Sequence, residues 1–363
     1  VNYFCTYFDQ HYLPRGLALI ASLQQHCPAF QMWVLCLDTT CYERLEQLHL
    51  PELHLIKLNE LEHALPELRA ARENRTLIEY YFTCTPALPL YVLERHPQAE
   101  LLTYLDADMY FFDDPRPVLQ QIAEHSITIV EHRYPGYLRD MEQYGRYNVG
   151  LLAFRRDEQG LACLRLWFQQ CVEWCYDRLD GDRYADQKYL EQWPRLFENV
   201  LVLKHQGVNL APWNLMNYSF RRRGGRVQVG DQPLVLFHFH GFKRKRAWLY
   251  DTHTARYATR PPRTLQRHVY RPYIRALSAA QSAALAEGIR YASAPAEPEA
   301  LGARMRRLAH YAVGILQGRY LVHIDRHVVA ALALELTGYT TNPSLYTEWV
   351  TGLAPLAYHG GLF

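Results

Sequence analysis

The chain has 363 residues, 49% hydrophobic and 21% charged, with a formal net charge of +2. Such a composition buries a sizeable core, which excludes a disordered chain, and the length suits one large domain with an appendage. The near-neutral total hides an asymmetry: residues 1–220 carry 19 Lys and Arg against 29 Asp and Glu, whereas residues 221–275 carry 14 against 2.

The chain opens on an apolar, β-branched and aromatic run, Val1 to Phe8, which predicts a strand ending at Asp9. A helical pattern follows, with Leu17, Ile20, Ala21 and Leu23 on one face and Pro28 closing it. Met32 to Leu37 predicts a second strand, ending at Asp38. Strand, helix and strand make a βαβ unit, hence a parallel sheet with a binding crevice at its strand ends. Neither the dinucleotide fingerprint nor the Walker phosphate loop follows the first strand. Residues 101–114, LLTYLDADMYFFDD, predict a buried strand running out at Asp106 and Asp108. In extended backbone residues i and i+2 share a side, so the two carboxylates face one point. Hard oxygen ligands of this kind suit Mg²⁺ or Mn²⁺, held together with substrate phosphates.

Asn148-Val149-Gly150 reads as a loop entering a strand, Leu151 to Phe154. Asn148 is suited either to turn geometry or to a sugar hydroxyl. Asp186-Gln187 precedes a helical pattern, Lys188 to Trp193, so Asp186 is either an N-cap or a hydrogen-bond acceptor in a site. Pro233 to Phe237 predicts a strand that delivers His238 and His240 to one side, where either could ligate a metal. Gly241 allows close backbone approach, and Lys243 and Arg244 supply fixed positive charge for a diphosphate. Cys163, Cys171 and Cys175 fall on a helical stripe with Trp167. With eight cysteines and no Cys-x-x-Cys, free buried thiols in a reducing, cytoplasmic compartment are expected. Arg260-Pro261-Pro262 breaks structure, and a boundary is expected there, giving domains 1–255 and 256–363. Beyond it, helices are expected at Ser278–Ile289 and within 299–337, with Leu308, Ala312, Ile315 and Leu316 on one face. A linker at Ala292–Pro298 and a turn-rich tail from Gly338 complete the chain. No apolar run is long enough to span a bilayer.

The ordered blocks resemble the family 8 glycosyltransferases, the group of glycogenin and bacterial lipopolysaccharide galactosyltransferases. The matching blocks are Asp9 with Tyr12, Ser22-Leu23, Tyr104-Leu105-Asp106-Ala107-Asp108, Asn148-Val149-Gly150, Asp186-Gln187 and His238-Phe239-His240-Gly241. The resemblance runs from Val1 to about Trp248 and implies a GT-A fold: a Rossmann-like, mostly parallel mixed sheet flanked by helices, here with a helical C-terminal extension. It implies that Asp106, Asp108 and His238 hold Mn²⁺ or Mg²⁺ and that the ion holds the diphosphate of a nucleotide sugar, expected to be a UDP-sugar. It further implies that the first strand end, Asp9 and Tyr12, reads the base and that Asn148, Asp186 and Gln187 contact the donor sugar. An amide such as Gln187 is a poor nucleophile, which favours retention by front-face return over a covalent intermediate. The acceptor is expected to be a glycan or a lipid-linked molecule, in cell-surface polysaccharide synthesis. One departure stands out: the Arg that the family places about twenty residues before Asp-x-Asp is absent, and Thr85-Pro86 occupy its neighbourhood, with Arg72 and Arg75 upstream.

The arginines at 256, 260, 263, 267, 271 and 275 form a basic block suited to an anionic acceptor or to the anionic inner face of a membrane. No nucleic-acid-binding module accompanies the charge. Two other function classes fit parts of the pattern. A metal-dependent phosphohydrolase also uses Asp-x-Asp after a strand, but near the chain start and with Thr or Val following. A catalytically silent sugar-binding protein would have no need of intact Asp106, Asp108, Gln187 and His238.

Overall fold

The computed structural model describes residues 1–246, 248–286 and 301–323. The described chain divides into two compact units: the first holds Val1–His240 and residues 256–286, the second Gly241–Ala255 and residues 301–323.

The first unit starts with β1 (Asn2–Phe8), α1 (Leu13–His26), β2 (Phe30–Cys36), α2 (Thr39–Gln47) and β3 (Leu53–Lys57). Both strand pairings are parallel, as the βαβ reading requires. Pro14 starts α1, where its missing N–H costs nothing. Leu17, Ile20 and Leu23 are buried as expected, but Ala21 is exposed and Ser22 takes the inward place beside Leu23. After α3 (Leu58–Ala64) and α4 (Glu67–Glu73) comes α5 (Leu77–Arg95), opened by a reciprocal Thr76–Glu79 capping box and buried along most of its length. It leads into β4 (Leu101–Leu105), which lies beside β1 in parallel.

Next come β5 (Met109–Phe111), α6 (Arg116–Ile122), β6 (Ile127–Glu131), β7 (Tyr147–Arg155), α7 (Glu158–Glu173), α8 (Trp193–Leu196) and β8 (Val200–Leu203). The main sheet runs β3-β2-β1-β4-β7-β6-β8. Only β7 is antiparallel to its neighbours, β4 and β6. This is the mostly parallel mixed sheet flanked by helices that the GT-A expectation calls for. Asn148 lies within β7 rather than in a loop before it, because the strand pairs with β6 from Tyr147 onward. All eight cysteines are buried and free, Cys163 and Cys171 on α7 and Cys175 just beyond it.

A three-stranded sheet of β9 (Phe220–Arg223), β10 (Arg226–Val229) and β11 (Gln232–Pro233) follows, and then β12 (Leu236–His238) pairs with β5. Returning to the first unit at residue 256, the chain forms α9 (Arg263–Leu265), a π-helical stretch Gln266–Tyr270 and α10 (Arg271–Ala286). The helix expected from Ser278 therefore begins earlier, directly after the Pro261-Pro262 break, and α10 packs along α1. Arg263, Arg267, Arg271 and Arg275 recur at i, i+4 and are exposed, as are Arg256 and Arg260. Among the described residues none of the six pairs with a carboxylate.

The second unit is a sheet of β13 (Lys243–Arg246), β14 (Leu249–Asp251) and β15 (Tyr320–Val322), covered by α11 (Leu301–Leu316). Tyr311 and Ile315 face Trp248, Leu249 and Tyr320, whereas Ala312 and Leu316, expected on the apolar face, point outward. Gly314 sits inside α11, where a Cβ would lie 2.4 Å from the Tyr320 ring. The rest of the expected C-terminal features, namely 287–289, Ala292–Pro298, 324–337 and the tail from Gly338, lie outside the described residues.

Candidate metal and donor site

The site begins with a turn. Strand β4 stops at Leu105, and Asp106-Ala107-Asp108 turn before β5, so the carboxylates converge through the turn rather than by the alternation of one extended strand. Four backbone hydrogen bonds fix it: Asp106 N–H to Gly150 O (2.9 Å), Met109 N–H to Asp106 O (3.1 Å), Phe239 N–H to Asp108 O (2.9 Å) and His238 N–H to Leu210 O (2.8 Å). Pairing of β5 with β12 sets Met109 opposite His238, and so carries the imidazole to the turn. Ser22 anchors β5 from below: its hydroxyl accepts from Phe111 N–H (3.1 Å) and donates to Leu19 O (2.6 Å).

His238 Nε2 lies 3.1 Å from Asp108 Oδ1 and 3.6 Å from Asp106 Oδ2. The three candidate ligand atoms fall within 4.8 Å of one another, and among the described residues this is the one group of three or more ligand-type side chains so arranged. His240, the alternative ligand, is exposed and stands edge-on to Trp213, with ring centroids 5.4 Å apart. Tyr104 donates to Asp106 Oδ1 at 2.8 Å. His238 is buried, and burial pushes its pKa down, but Asp108 and Asp106 push it up and prevail. Burial likewise pushes Asp108 up, yet His238 outweighs it and holds the carboxyl at about 2. Asp106 is raised, by burial first and by Asp108 in addition. Two carboxylates this close favour a positive charge between them, and two oxygens with one imidazole nitrogen suit a divalent cation.

Asn148 is buried beside this group with both amide atoms engaged. Its Oδ1 accepts from Gly150 N–H (3.1 Å) and lies 3.3 Å from His238 Nδ1, while its Nδ2 lies 3.3 Å from His132 Nε2. Gly150 makes room for this packing: a Cβ there would lie 2.7 Å from Asn148 Oδ1 and 2.8 Å from His238 Cε1.

Asp186 is buried where α7 and α5 meet the sheet, and Trp167 Nε1 donates to its backbone O at 2.8 Å. It does not cap the following 3₁₀ turn, Lys188–Gln192. Burial, with the charge of Asp106 in addition, raises its carboxyl to about 7 against the support of the Thr85 hydroxyl. The Tyr7 hydroxyl lies 3.1 Å from that of Thr85. Thr85 thus stands beside Asp186 with a neutral hydroxyl. Neither upstream arginine compensates: Arg72 pairs with Glu62 (2.9 Å), and Arg75 donates to the Thr83 hydroxyl (3.1 Å) and to Val172 O (2.6 Å). Gln187 Nε2 donates to Tyr144 O at 3.0 Å, which leaves its Oε1 as the amide's acceptor.

At the end of β1, Asp9 Oδ1 accepts from His11 N–H (2.9 Å) and Tyr12 N–H (3.0 Å), and Asp38 Oδ2 accepts from Gln10 N–H (2.8 Å) while Asp38 caps α2. The exposed Tyr12 ring carries the Arg15 guanidinium 4.4 Å from its centroid. Arg15 also helps to lower the pKa of Asp108. Sequence reasoning passed over this arginine; its spacing three residues after Tyr12, in the first turn of α1, was the available signal. Gly241, Lys243 and Arg244 belong to the second unit, where Gly241 has φ of +70° and a Cβ on it would lie 2.4 Å from the His253 ring.

No family model matches the chain. The Bacillus subtilis (strain 168) "Uncharacterized protein YfnD" is 33% identical over 243 residues, 66% of this chain and 78% of that protein. "Uncharacterized protein YfnF" of the same organism is 32% identical over 248 residues, 66% of this chain and 81% of that protein. The chain belongs to the family of YfnD and YfnF. Among solved structures, the galactosyltransferase LgtC in complex with donor and acceptor sugar analogs is 14% identical, covers 76% of this chain and 95% of its own, and superposes with a TM-score of 0.48. Mouse xyloside xylosyltransferase 1 is 13% identical over 66% of this chain and 98% of its own, with a TM-score of 0.42. Likenesses of that size carry no weight for this member of the YfnD family beyond the strand order its own sheet displays.

The raised carboxyl of Asp186 has a consequence for stability. A folded-state pKa of about 7, above the usual carboxylate value, means that its favourable contribution is complete below about pH 4 and is lost as pH rises towards 7. Asp186→Asn is therefore expected to gain stability relative to the parent as pH goes from 5 to 8, measured by urea denaturation at each pH. A difference independent of pH would show that Asp186 ionises normally.

Proposed function

We propose that this chain is a metal-dependent, retaining glycosyltransferase that moves a hexose from a nucleoside diphosphate sugar, a UDP-sugar, to a glycan or lipid-linked acceptor. The observation that carries the reading is the convergence of Asp106, Asp108 and His238 where β4 runs out, next to the end of β1. Ligand sites of open α/β sheets lie at such strand ends. When bound, Mn²⁺ or Mg²⁺ neutralises the departing diphosphate as a Lewis acid. Arg15, held on the Tyr12 ring, adds positive charge on the same side, and Asp9 with Tyr12 forms the edge assigned to the base.

Asp186, half-protonated near neutral pH, can both give and take a hydrogen bond and is assigned to a sugar hydroxyl. Gln187, whose amide nitrogen is held by Tyr144 O, is assigned to the donor sugar through its carbonyl oxygen. That oxygen can stabilise oxocarbenium charge without forming a lasting covalent bond, so the acceptor hydroxyl adds on the face from which the diphosphate leaves. We assign the exposed row Arg263, Arg267, Arg271 and Arg275, about 18 Å long at 1.5 Å per residue, to an anionic bilayer surface.

Three measurements bear on this reading. Asp108→Asn should abolish the Mn²⁺-dependent thermal shift with UDP while the metal-free variant, though less stable for want of the His238 contact, still melts cooperatively; a full shift in the variant would refute the assignment. Proton NMR of the first product from an α-linked donor should show an α linkage, and a β linkage would require an inverting base. Liposomes rich in anionic lipid should co-sediment the protein at low salt and release it as salt screens the charge. Replacing Arg263, Arg267 and Arg271 with Gln should weaken that binding several-fold, and equal binding by parent and variant would remove the role.

A further inference from the structure

The hydrogen bonds around Asn148 are directional, and their directions can be worked out from groups that have only one option. Gly150 N–H can only donate, so the Asn148 atom facing it is the oxygen. The other amide atom, facing His132 Nε2, is then the NH₂ group, which can only donate. His132 Nε2 must accept, and its ring proton sits on Nδ1, facing Arg146 O at 3.3 Å. A carbonyl only accepts, so this end of the chain of bonds is consistent with the other. On the opposite side, Asn148 Oδ1 accepts from His238 Nδ1–H at 3.3 Å. Asp106 and Asp108, which also only accept, face Nε2; when the proton on Nε2 gives way to a cation, the bond to Asn148 leaves the ring proton on Nδ1 and the Nε2 lone pair towards the ion.

We propose that His132 and Asn148 are positioning residues that hold His238 in the Nδ1–H tautomer, with its Nε2 lone pair presented to the cation. This rests on the metal reading above. It adds to the role expected for Asn148, since its oxygen is engaged by His238 and the Gly150 amide and one N–H of its nitrogen by His132. His132 is packed for the task. Its ring stacks on Tyr134 with centroids 4.8 Å apart and an interplanar angle of 9°, and Trp213 stands edge-on at 5.1 Å. Trp213 Nε1 and Asn214 Nδ2 both donate to the His132 carbonyl at 2.9 Å. Trp213 also stands edge-on to His238 at 5.2 Å, so one indole braces both rings. Partners of this kind set the tautomer and orientation of a metal-ligating histidine, and their loss costs about 10- to 100-fold in metal affinity.

The test uses Mn²⁺ alone, with no nucleotide sugar, so that a sugar-contacting role for Asn148 has no influence. Isothermal titration should give Asn148→Leu a 10- to 100-fold weaker affinity than the parent. His132→Phe, which keeps the stacked ring and loses the acceptor, should be weakened at least several-fold. It also serves if the Asn148 variant does not fold. Long-range ¹H–¹⁵N NMR of the metal-free parent at pH 9 should show His132 and His238 each protonated at Nδ1. Affinities within twofold of the parent in the folded variants, or His238 protonated at Nε2 at that pH, would overturn the proposal. A parent that binds neither Mn²⁺ nor Mg²⁺ would instead overturn the metal reading, and the two tautomers would then decide whether the relay exists.

Discussion

Two carboxylates and an imidazole share one small volume at the end of β4, and most of the surrounding structure serves that meeting. Like charges this close are costly unless a cation lies between them. In the metal-free protein a proton on His238 meets part of that need, and this is why its pKa is raised despite burial. The fold meets the geometric part. The turn at 106–108 is tied to β7 through Gly150 and to the residue after β12 through Phe239, and β5 is fastened to α1 by the Ser22 hydroxyl. Loosening any of these ties would let the carboxylates move apart, so backbone far from the ligands contributes to the site.

Much of this was legible from local pattern. The βαβ start, the strand ending at Asp106, and the arrival of His238 at the end of a second strand all follow from apolar runs that stop at polar residues. What the sequence could not supply was pairing. Asn148 looked like a loop residue because Asn and Gly favour turns, yet pairing of β6 with β7 overrides that local preference. The inward place of Ser22 depends on an N–H from β5, which no helical periodicity reveals. On α11 the face is set by Tyr311, Ile315 and Gly314, whose missing Cβ admits the Tyr320 ring, so of the expected face Ile315 packs inward while Ala312 and Leu316 point out. His132 carried no sequence signal: it matters because pairing of β6 with β7 brings it beside Asn148.

Thr85 bears on the chemistry of Asp186. Burial, with the charge of Asp106 in addition, raises the Asp186 carboxyl to about 7, and the Thr85 hydroxyl offsets this only in part. Arg72 and Arg75 cannot restore the charge, since each is committed elsewhere. Arg15, from α1, supplies a cation that helps to hold Asp108 ionised.

The central claim is that one divalent cation is bound jointly by Asp106, Asp108 and His238. Anomalous diffraction from crystals grown with Mn²⁺ and UDP tests it most directly. The account predicts a single strong anomalous peak within bonding distance of a carboxylate oxygen of each aspartate and of His238 Nε2, at about 2.0–2.3 Å. A peak elsewhere, or none at saturating Mn²⁺, would contradict it.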